Sequence, residues 1–401
     1  MLIVQKFGGS SVADAEKIKK VADVIAETYR GGNDVVVVLS AQGSTTDDLL
    51  AKAKEVNPNP SKREVDVLLT TGEQVSMALV ALALENLGLP VISLTGWQVG
   101  LQTDSTYGNA RVRRLSTERL HQELDKRRIV LVAGFQGVNR FDDLTTLGRG
   151  GSDTTAVAIA AALHADACRI YTDVEGVFTA DPRIIPEAKK LSEITYDEML
   201  ELASDGAQVL HYRAVDMAKR YNVNLEVLSS FSGKPGTMVK EVTNKVEHMK
   251  ISGVTSDKKI AKIVVVGLPD APGTAFKVFS PVAKVGVNVD VIIQSAGKND
   301  TNDISFTVPV ADAEKAVEAL EQVKERIGFD HIAVDDNVAK VSVVGAGMLN
   351  NSGVASTAFE ALSEAGINIQ MITTSEIKIA VIIEESRADD AVQAIYKKFF
   401  E

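Results

Sequence analysis

The sequence predicts an α/β protein: a mostly parallel sheet sandwiched by helices, followed by two smaller ferredoxin-like α+β modules. Three observations predict it. Short continuous apolar runs alternate with helical patterns over the first part of the chain, as in a parallel sheet covered on both faces. Polar turns rich in glycine and serine follow several of those runs. Further on, one pattern occurs twice, 80 residues apart.

The elements follow in order. Leu2-Ile3-Val4 reads as a short buried strand. A helical pattern begins near Asp14, with Ile18, Val21, Ala22, Ile25 and Tyr29 on one face. Between them Gly8-Gly9-Ser10-Ser11 forms a turn. Paired glycines let backbone N–H groups approach a ligand closely, and the positive end of the helix favours an anion. Lys6 adds a mobile cation, so the stretch reads as a phosphate cradle. Taken alone it reads as well as a plain turn, and it is neither a P-loop nor a Rossmann turn. The run at 34–40 suits a central strand and ends in a polar turn over 40–47. Residues 57–60 form a loop. Two helical segments follow, split at 70–73, and the second, almost wholly apolar to Leu87, reads as buried. Residues 90–94 and 128–133 read as strands, and 134–146 as a long loop. Gly148-Arg149-Gly150-Gly151-Ser152-Asp153 then leads into an alanine-rich helix over 154–163. A strand at 167–173, a turn at 181–183, two helical segments and a strand at 225–228 complete this part, which 233–237 closes.

The repeat has another character. Val285-Gly286-Val287-Asn288-Val289 recurs as Ala365-Gly366-Ile367-Asn368-Ile369, and 291–295 recurs as 371–375. Each copy reads as a strand, a helix before the Gly-x-Asn turn, two strands and a closing helix, at 313–327 and 388–399. A strand-like stretch at 249–254 has no partner within the first copy. Gly345-Ala346-Gly347 lacks the third glycine of a dinucleotide turn and reads as a loop. The expected organisation is a catalytic domain over 1–245, a linker and strand over 246–260 that belong with the second module, a first module over 261–337 and a second over 338–401.

Composition bounds the function. The 401 residues are 45% hydrophobic and 24% charged, with a net charge of −11. That balance describes a globular protein with full cores. It disfavours nucleic acid and anionic membrane as partners, so an anionic substrate needs a local basic pocket. Cys168 is the only cysteine and reads as packing in a strand. No intrachain disulfide can form, which fits a cytoplasmic setting. The first residues read as a strand rather than a signal peptide, and no stretch reads as a membrane span.

Open parallel sheets bind ligands beyond the carboxyl ends of their strands, so the clusters at 6–11, 40–47 and 148–153 are expected to converge. The last is a second anion cradle, with Arg149 in it. Asp153 either caps the following helix or organises Lys6. His121, His164, His211, His248 and His331 lie outside these clusters, which argues against hydrolases and zinc enzymes. Phosphoryl transfer fits better, since it rests on positioning and charge neutralisation. A carboxylate acceptor, ionised at neutral pH, needs no general base.

Lys6-Phe7-Gly8-Gly9-Ser10-Ser11, Thr71-Gly72-Glu73, residues 148–154 and Thr172-Asp173-Val174 resemble the motifs of aspartokinases, within the amino acid kinase superfamily. The repeat resembles their paired ACT modules, and the likeness spans nearly the whole chain. The resemblance implies an amino acid kinase fold and ATP- and Mg²⁺-dependent phosphorylation of the β-carboxylate of L-aspartate, the first step toward lysine, threonine and methionine. It implies that Lys6 and the backbone of Gly8 and Gly9 hold the transferred phosphoryl group, and that Asp153 orients Lys6 and the substrate ammonium. Ser40, Thr46 and Ser152 would line the aspartate site, with Glu73 on the ammonium, Arg149 on the α-carboxylate and Phe135 packed nearby. Ser10, Thr172, Asp173, Phe178, Asp181 and Arg183 would surround the nucleotide. Some members carry a lysine near the phosphates where this chain has Gln208, which is not counted. The ACT likeness implies a homo-oligomer paired through these modules. It also implies an amino acid effector, lysine or alternatively threonine, at Asp270, Gly273, Ala275, Asn288, Asp290, Gln294, Asn368 and Ile369. The rival readings are a kinase of glutamate or acetylglutamate and a non-catalytic amino acid sensor. A separate regulatory chain starting near Met249 is also conceivable.

Overall fold

A computed structural model describes residues 1–207, 209–241, 251–296 and 301–401. Gln208, Met249 and the start of the strand-like stretch at 249–254 therefore lie outside the described residues. The chain divides into two compact units. The first comprises Met1–Phe178, Lys189–Ala203 and Gln208–Asn244; the second comprises Thr179–Ala188, Ser204–Ala207 and Lys245–Glu401.

The first unit runs β1 Leu2–Phe7, α1 Ala15–Arg30, β2 Asp34–Leu39, α2 Thr45–Val56, α3 Lys62–Asn86, β3 Val91–Leu94, β4 Leu101–Thr103, β5 Val112–Leu115, α4 Glu118–Leu124, β6 Ile129–Ala133, β7 Gln136–Val138, β8 Leu144–Thr146, α5 Gly151–Leu163, β9 Ala167–Thr172, β10 Glu193–Thr195, α6 Tyr196–Ser204, α7 Tyr212–Tyr221, β11 Leu225–Ser229 and β12 Thr237–Lys240. Its main sheet has the order β10-β12-β11-β9-β1-β2-β6-β3. It is parallel from β3 to β11 and reverses only at β12. Burial on both faces explains the continuous apolar runs. Val35, Val37 and Leu39 join Ile18, Val21 and Ile25 of α1 and Met77, Val80 and Leu84 of α3 in one core, while α5 packs on the other face of β1, β2 and β9.

Three expectations fail here. The helical segments around 70–73 are one helix, α3. Gly72 does not break it; a Cβ there would come within 2.9 Å of the Ala41 Cβ, so the glycine admits close packing. Nor is the second half of α3 wholly buried, since Val75 and Leu82 are 52% and 61% exposed. By length and composition α3 could cross a membrane, yet it carries the buried carboxylates Asp66 and Glu73 and packs on α1, α2 and β8. Finally, the loop at 134–146 contains the hairpin β7–β8, part of a small sheet of order β5-β4-β7-β8. Asn139 closes its turn by accepting from the backbone N–H groups of Phe141 and Asp143, a local side-chain bond that mimics a turn.

The second unit runs β13 Gly253–Pro269, α8 Thr274–Lys284, β14 Ile292–Ala296, β15 Thr301–Pro309, α9 Val310–Glu321, α10 Lys324–Ile327, β16 His331–Val344, α11 Val354–Glu364, β17 Met371–Thr374, β18 Lys378–Glu384 and α12 Ala388–Phe400. The two copies share one sheet of order β14-β15-β13-β16-β18-β17. The start of β13, from Gly253 to Asp257, pairs with Val344 to Lys340 of the second copy, and its later part pairs with the first. The closing helix expected at 313–327 is broken: α9 ends at Glu321 and α10 begins at Lys324. One apolar core lies under α8 and α9, another under α11 and α12.

Candidate active site

Beyond the carboxyl ends of β1 and β2 the first unit has a cavity of about 280 Å³. Its walls come from the ends of those strands, the first turn of α2, the middle of α3 and the loop entering α5. Lys6, Gly9, Ser40, Thr46, Glu73, Phe135, Arg149, Ser152 and Asp153 all line it. Ala41, Gly43, Gly148, Gly150 and Gly151 complete the wall.

Lys6 stands one residue before the end of β1, which is 9% exposed at that point. Its ammonium meets Asp153 Oδ1 at 2.6 Å. The helix following the glycine loop starts at Gly151, three residues earlier than its alanine run suggests, and its N-cap is Gly150 in the left-handed region at φ 69°. Asp153 therefore sits inside the first turn as the partner of Lys6 and does not cap the helix. The Gly8-Gly9 cradle also differs in detail. Residues Gly9–Val12 form a short 3-10 turn, and Asp14 caps α1 by accepting from the Lys17 N–H. Any anion at Gly8 and Gly9 thus meets the turn's N–H groups and Lys6, not the bare end of α1. A Cβ on Gly8 would lie 3.5 Å from the Lys6 ammonium.

Glu73 is 3% exposed. Its Oε1 accepts from the Ala41 N–H at 3.2 Å, and its Oε2 has no hydrogen-bond partner among the described residues. Burial pushes its carboxyl up to about 7, because desolvation disfavours the charged form. Such an orphaned carboxylate in a cavity wall invites a cation. Ser40 ends the β2 region, and its carbonyl accepts from Ser76 of α3, which fixes α3 against the strand end. Phe135 has φ 68°, uncommon for a bulky side chain. It is held there by hydrogen bonds from its N–H to Thr155 and from the Leu147 N–H to its carbonyl. Arg149 is exposed in the cavity wall, and its guanidinium makes no ion pair or hydrogen bond with the described residues.

The other predicted residues fall elsewhere. Ser10 is exposed outside the cavity lining. Thr172 ends β9 and donates to Asp173; Phe178, half-buried, bridges to Lys190. Asp181 and Arg183 belong to the second unit and pair with each other at 2.6 Å, which holds the Asp181 carboxyl below its ordinary range. Among the effector candidates Asp270, Gly273, Ala275, Asn288, Gln294 and Asn368 are exposed and Ile369 half-buried. Asp270 accepts from Asn302 at 2.8 Å. Asp290 already has a cation: Lys340 reaches it at 2.5 Å and the buried Asp205 at 2.7 Å. Cys168 is fully buried, which pushes its thiol pKa up.

Sequence reasoning missed two supports of the site. Asp66 is fully buried and accepts from Gly108 N–H, Thr146 N–H and the Thr146 hydroxyl; it ties α3 to the end of β8. His211, read as lying outside every cluster, packs on Gly150. No local signal announces either contact, since each joins distant parts of the chain.

Comparison with known proteins agrees with this geometry. The amino acid kinase family model matches residues 1–229, and an ACT domain model matches 262–323 and 341–399. The chain is 53% identical to the aspartokinase of Mycolicibacterium smegmatis, over 99% of this chain and 96% of that one. It is 48% identical to an aspartokinase of Bacillus sp. strain MGA3, over 99% and 97%. The chain belongs to the aspartokinase family. It is an ATP-dependent kinase of L-aspartate that carries regulatory ACT domains. Among solved structures it resembles E. coli aspartokinase III in complex with aspartate and ADP in the R-state, with TM-score 0.86, 25% identity and full coverage of both chains. It also resembles the aspartate kinase from Synechocystis, with TM-score 0.56 and 44% identity over all of this chain and 69% of that one.

Proposed function

We propose that the cavity binds L-aspartate with its ammonium on Glu73 and its α-carboxylate on Arg149, and turns its β-carboxylate toward Lys6. The buried Oε2 of Glu73, without a partner among the described residues, carries this reading: it offers an acceptor that an α-ammonium would hold in its charged form, and acetylglutamate has no ammonium to place there. Arg149, without an ion pair or hydrogen bond from its guanidinium among the described residues, offers a bidentate match to a carboxylate. Ser40, Thr46 and Ser152 line the pocket and Phe135 packs beside the substrate. Asp153 holds Lys6 in position.

Lys6 and the N–H groups of Gly8 and Gly9 hold the terminal phosphoryl group of ATP, while Ser10, Thr172, Asp173 and Phe178 surround the rest of the nucleotide. An oxygen of the ionised β-carboxylate attacks the γ-phosphorus, the bond to the β-phosphate oxygen breaks, and ADP leaves with that electron pair. No proton moves, so no general base is needed. ATP enters as its magnesium complex. Among the described residues no group of three or more His, Cys, Asp or Glu could hold a metal, and Asp153 is committed to Lys6. That donor set suits an ion held mainly by phosphate oxygens and water.

Regulation is assigned to the second unit. The effector, lysine in the first instance and threonine as the alternative, binds at Asp270, Gly273, Ala275, Asn288, Asp290 and Gln294 of the first copy, with Asn368 and Ile369 of the second. It inhibits by binding the inactive state more tightly. Pairing of chains is supported by the sheet's two edges, β14 and β17. They present Ile292 and Ile372, equivalent in the repeat, at 53% and 43% exposure, and open edges invite a further strand. We assign the enzyme to the cytoplasm, a reading that its single cysteine supports, since no intrachain disulfide can form. The test is hydroxylamine trapping of the acyl phosphate with aspartate, glutamate and acetylglutamate in parallel. Product with aspartate is expected; equal or greater turnover of another acid would overturn the assignment.

A further inference from the structure

We infer that the first turn of α7 is a positioning element for the substrate loop, with His211 and Arg213 setting where Arg149 stands. The inference rests on the assignment of Arg149 to the aspartate α-carboxylate.

The contacts are specific. Gly150 adopts the left-handed region at φ 69°, and a Cβ there would come within 2.1 Å of His211 Cγ. The imidazole thus fills the space a side chain at residue 150 would need, one residue from Arg149. His211 is also the N-cap of α7, accepting from the Arg213 N–H through Nδ1. That acceptor role requires the neutral ring with its proton on Nε2. The charged groups acting on it are Asp153 and Arg149 from the loop and α5, and Arg213 from its own helix.

Arg213 holds the other side of the same loop. Its Nη1 donates to the carbonyl of Leu147 and, at 3.0 Å, to Asn109 Oδ1; its Nη2 donates to the carbonyl of Ala110 at 2.8 Å. Leu147 precedes the glycine loop directly, and Ala110 bonds back to Thr146 at the end of β8. One planar fork therefore fixes the strand end from which the loop departs, and one imidazole fixes its midpoint. Neither residue lines the cavity; both act through the backbone that presents Arg149. A loop with two positive-φ glycines, Gly148 and Gly150, has wide backbone freedom when unsupported, and small misplacement of a binding group is costly.

The experiment measures KM for aspartate, KM for ATP and kcat in the full-length enzyme for Arg149→Ala, His211→Ala, His211→Asn, Arg213→Ala, Arg213→Lys, Gly150→Ala and the pair Gly150→Ala/His211→Ala, with thermal melting of each. His211→Ala and Arg213→Ala are expected to raise KM for aspartate about 10-fold with KM for ATP within about twofold. Arg213→Lys should not rescue, since an ammonium cannot span three acceptors. Gly150→Ala should be the most damaged single variant, and removing the imidazole behind it should recover about fivefold or more in kcat/KM for aspartate. Folded His211 and Arg213 variants with unchanged KM for aspartate, or with both substrates weakened equally, would overturn the inference, as would a double variant no better than Gly150→Ala. His211→Asn, which keeps an N-cap acceptor, separates contact from capping if His211→Ala fails to fold: a weakened aspartate KM supports the contact and an unchanged one refutes it. Arg149→Ala separates the two levels. Should it weaken ATP and not aspartate, the assignment of Arg149 fails; should it weaken aspartate while the α7 variants do not, only the positioning role fails.

Discussion

Replacing Glu73 by glutamine tests the site through its physical cost. Burial lifts the Glu73 carboxyl from 4.5 to about 7. The folded enzyme therefore holds this proton more tightly than the unfolded chain. Between pH 4.5 and 7 the unfolded state binds fewer protons, so stability falls as pH rises through that window, and the full penalty is present above pH 7. At 1.36 kcal/mol per pH unit the whole shift amounts to about 3 kcal/mol. Between pH 6 and 8, a range open to assay, wild type should lose about 1.3 kcal/mol that Glu73→Gln keeps. For a unit of this size that is about 3–5 °C of melting temperature. Aspartate should reverse the effect in wild type, because its ammonium compensates the buried charge. In the variant, loss of a charged hydrogen bond worth about 1.5–3 kcal/mol should raise KM for aspartate about 10- to 100-fold. Wild-type kcat/KM for aspartate should fall about tenfold per pH unit below 7, and the variant's should be low and flat. Thermal melts at pH 6 and 8, with and without aspartate, and pH–rate profiles provide the assay. Parallel pH dependence in the two proteins would refute the reasoning.

Three further outcomes follow from the same geometry. Lys6→Ala should lower kcat by about 10² or more with the fold retained, as read by acyl-phosphate trapping and melting; near-normal turnover would remove Lys6 from the mechanism. Arg149→Ala should raise KM for aspartate about tenfold or more while KM for ATP barely moves. Titration of lysine and threonine, singly and together, should inhibit wild type and inhibit Asp290→Asn less, since Asp290 shares Lys340 with Asp205; a wild type insensitive to both would end the regulatory claim.

How much was legible depended on the range of the interaction. Strands β1, β2, β6 and β9 were visible because burial on both faces leaves a continuous apolar run. The repeat was visible because two copies keep the Gly-x-Asn turn. Residues at strand ends, such as Lys6 and Ser40, could be placed because a parallel sheet aligns its carboxyl ends. What failed was local punctuation with a tertiary cause. Gly72 looked like a break, yet it lets α3 approach Ala41 and brings Glu73 to the Ala41 N–H. The hairpin β7–β8 was hidden because its strands are three residues each, too short to show alternation. His211 and Asp66 were invisible as site supports because their partners lie far along the chain.

Net charge illustrates how little a global quantity says about a site. A chain at −11 binds two anions, so attraction must be built locally. In the cavity the cations are Lys6 and Arg149, and the carboxylates are Glu73 and Asp153. With all four ionised the wall is neutral. Asp153 cancels Lys6 where it stands, at 2.6 Å, and Glu73 would spend its charge on the substrate ammonium. The carboxylates therefore do not defeat anion binding; they fix orientation. One keeps a flexible lysine side chain on target, which reduces the entropy lost when phosphate arrives. On the proposed reading the other would reject acids without a free ammonium, because a buried carboxylate left unpaired is costly. On the same reading the remaining negative charge of the nucleotide would be met by a magnesium ion bound with it and by the N–H groups at Gly8 and Gly9. Affinity for the nucleotide should accordingly depend on magnesium more steeply than affinity for aspartate does, and binding of each ligand measured across magnesium concentrations would show the reverse order if protein cations alone neutralised the phosphates.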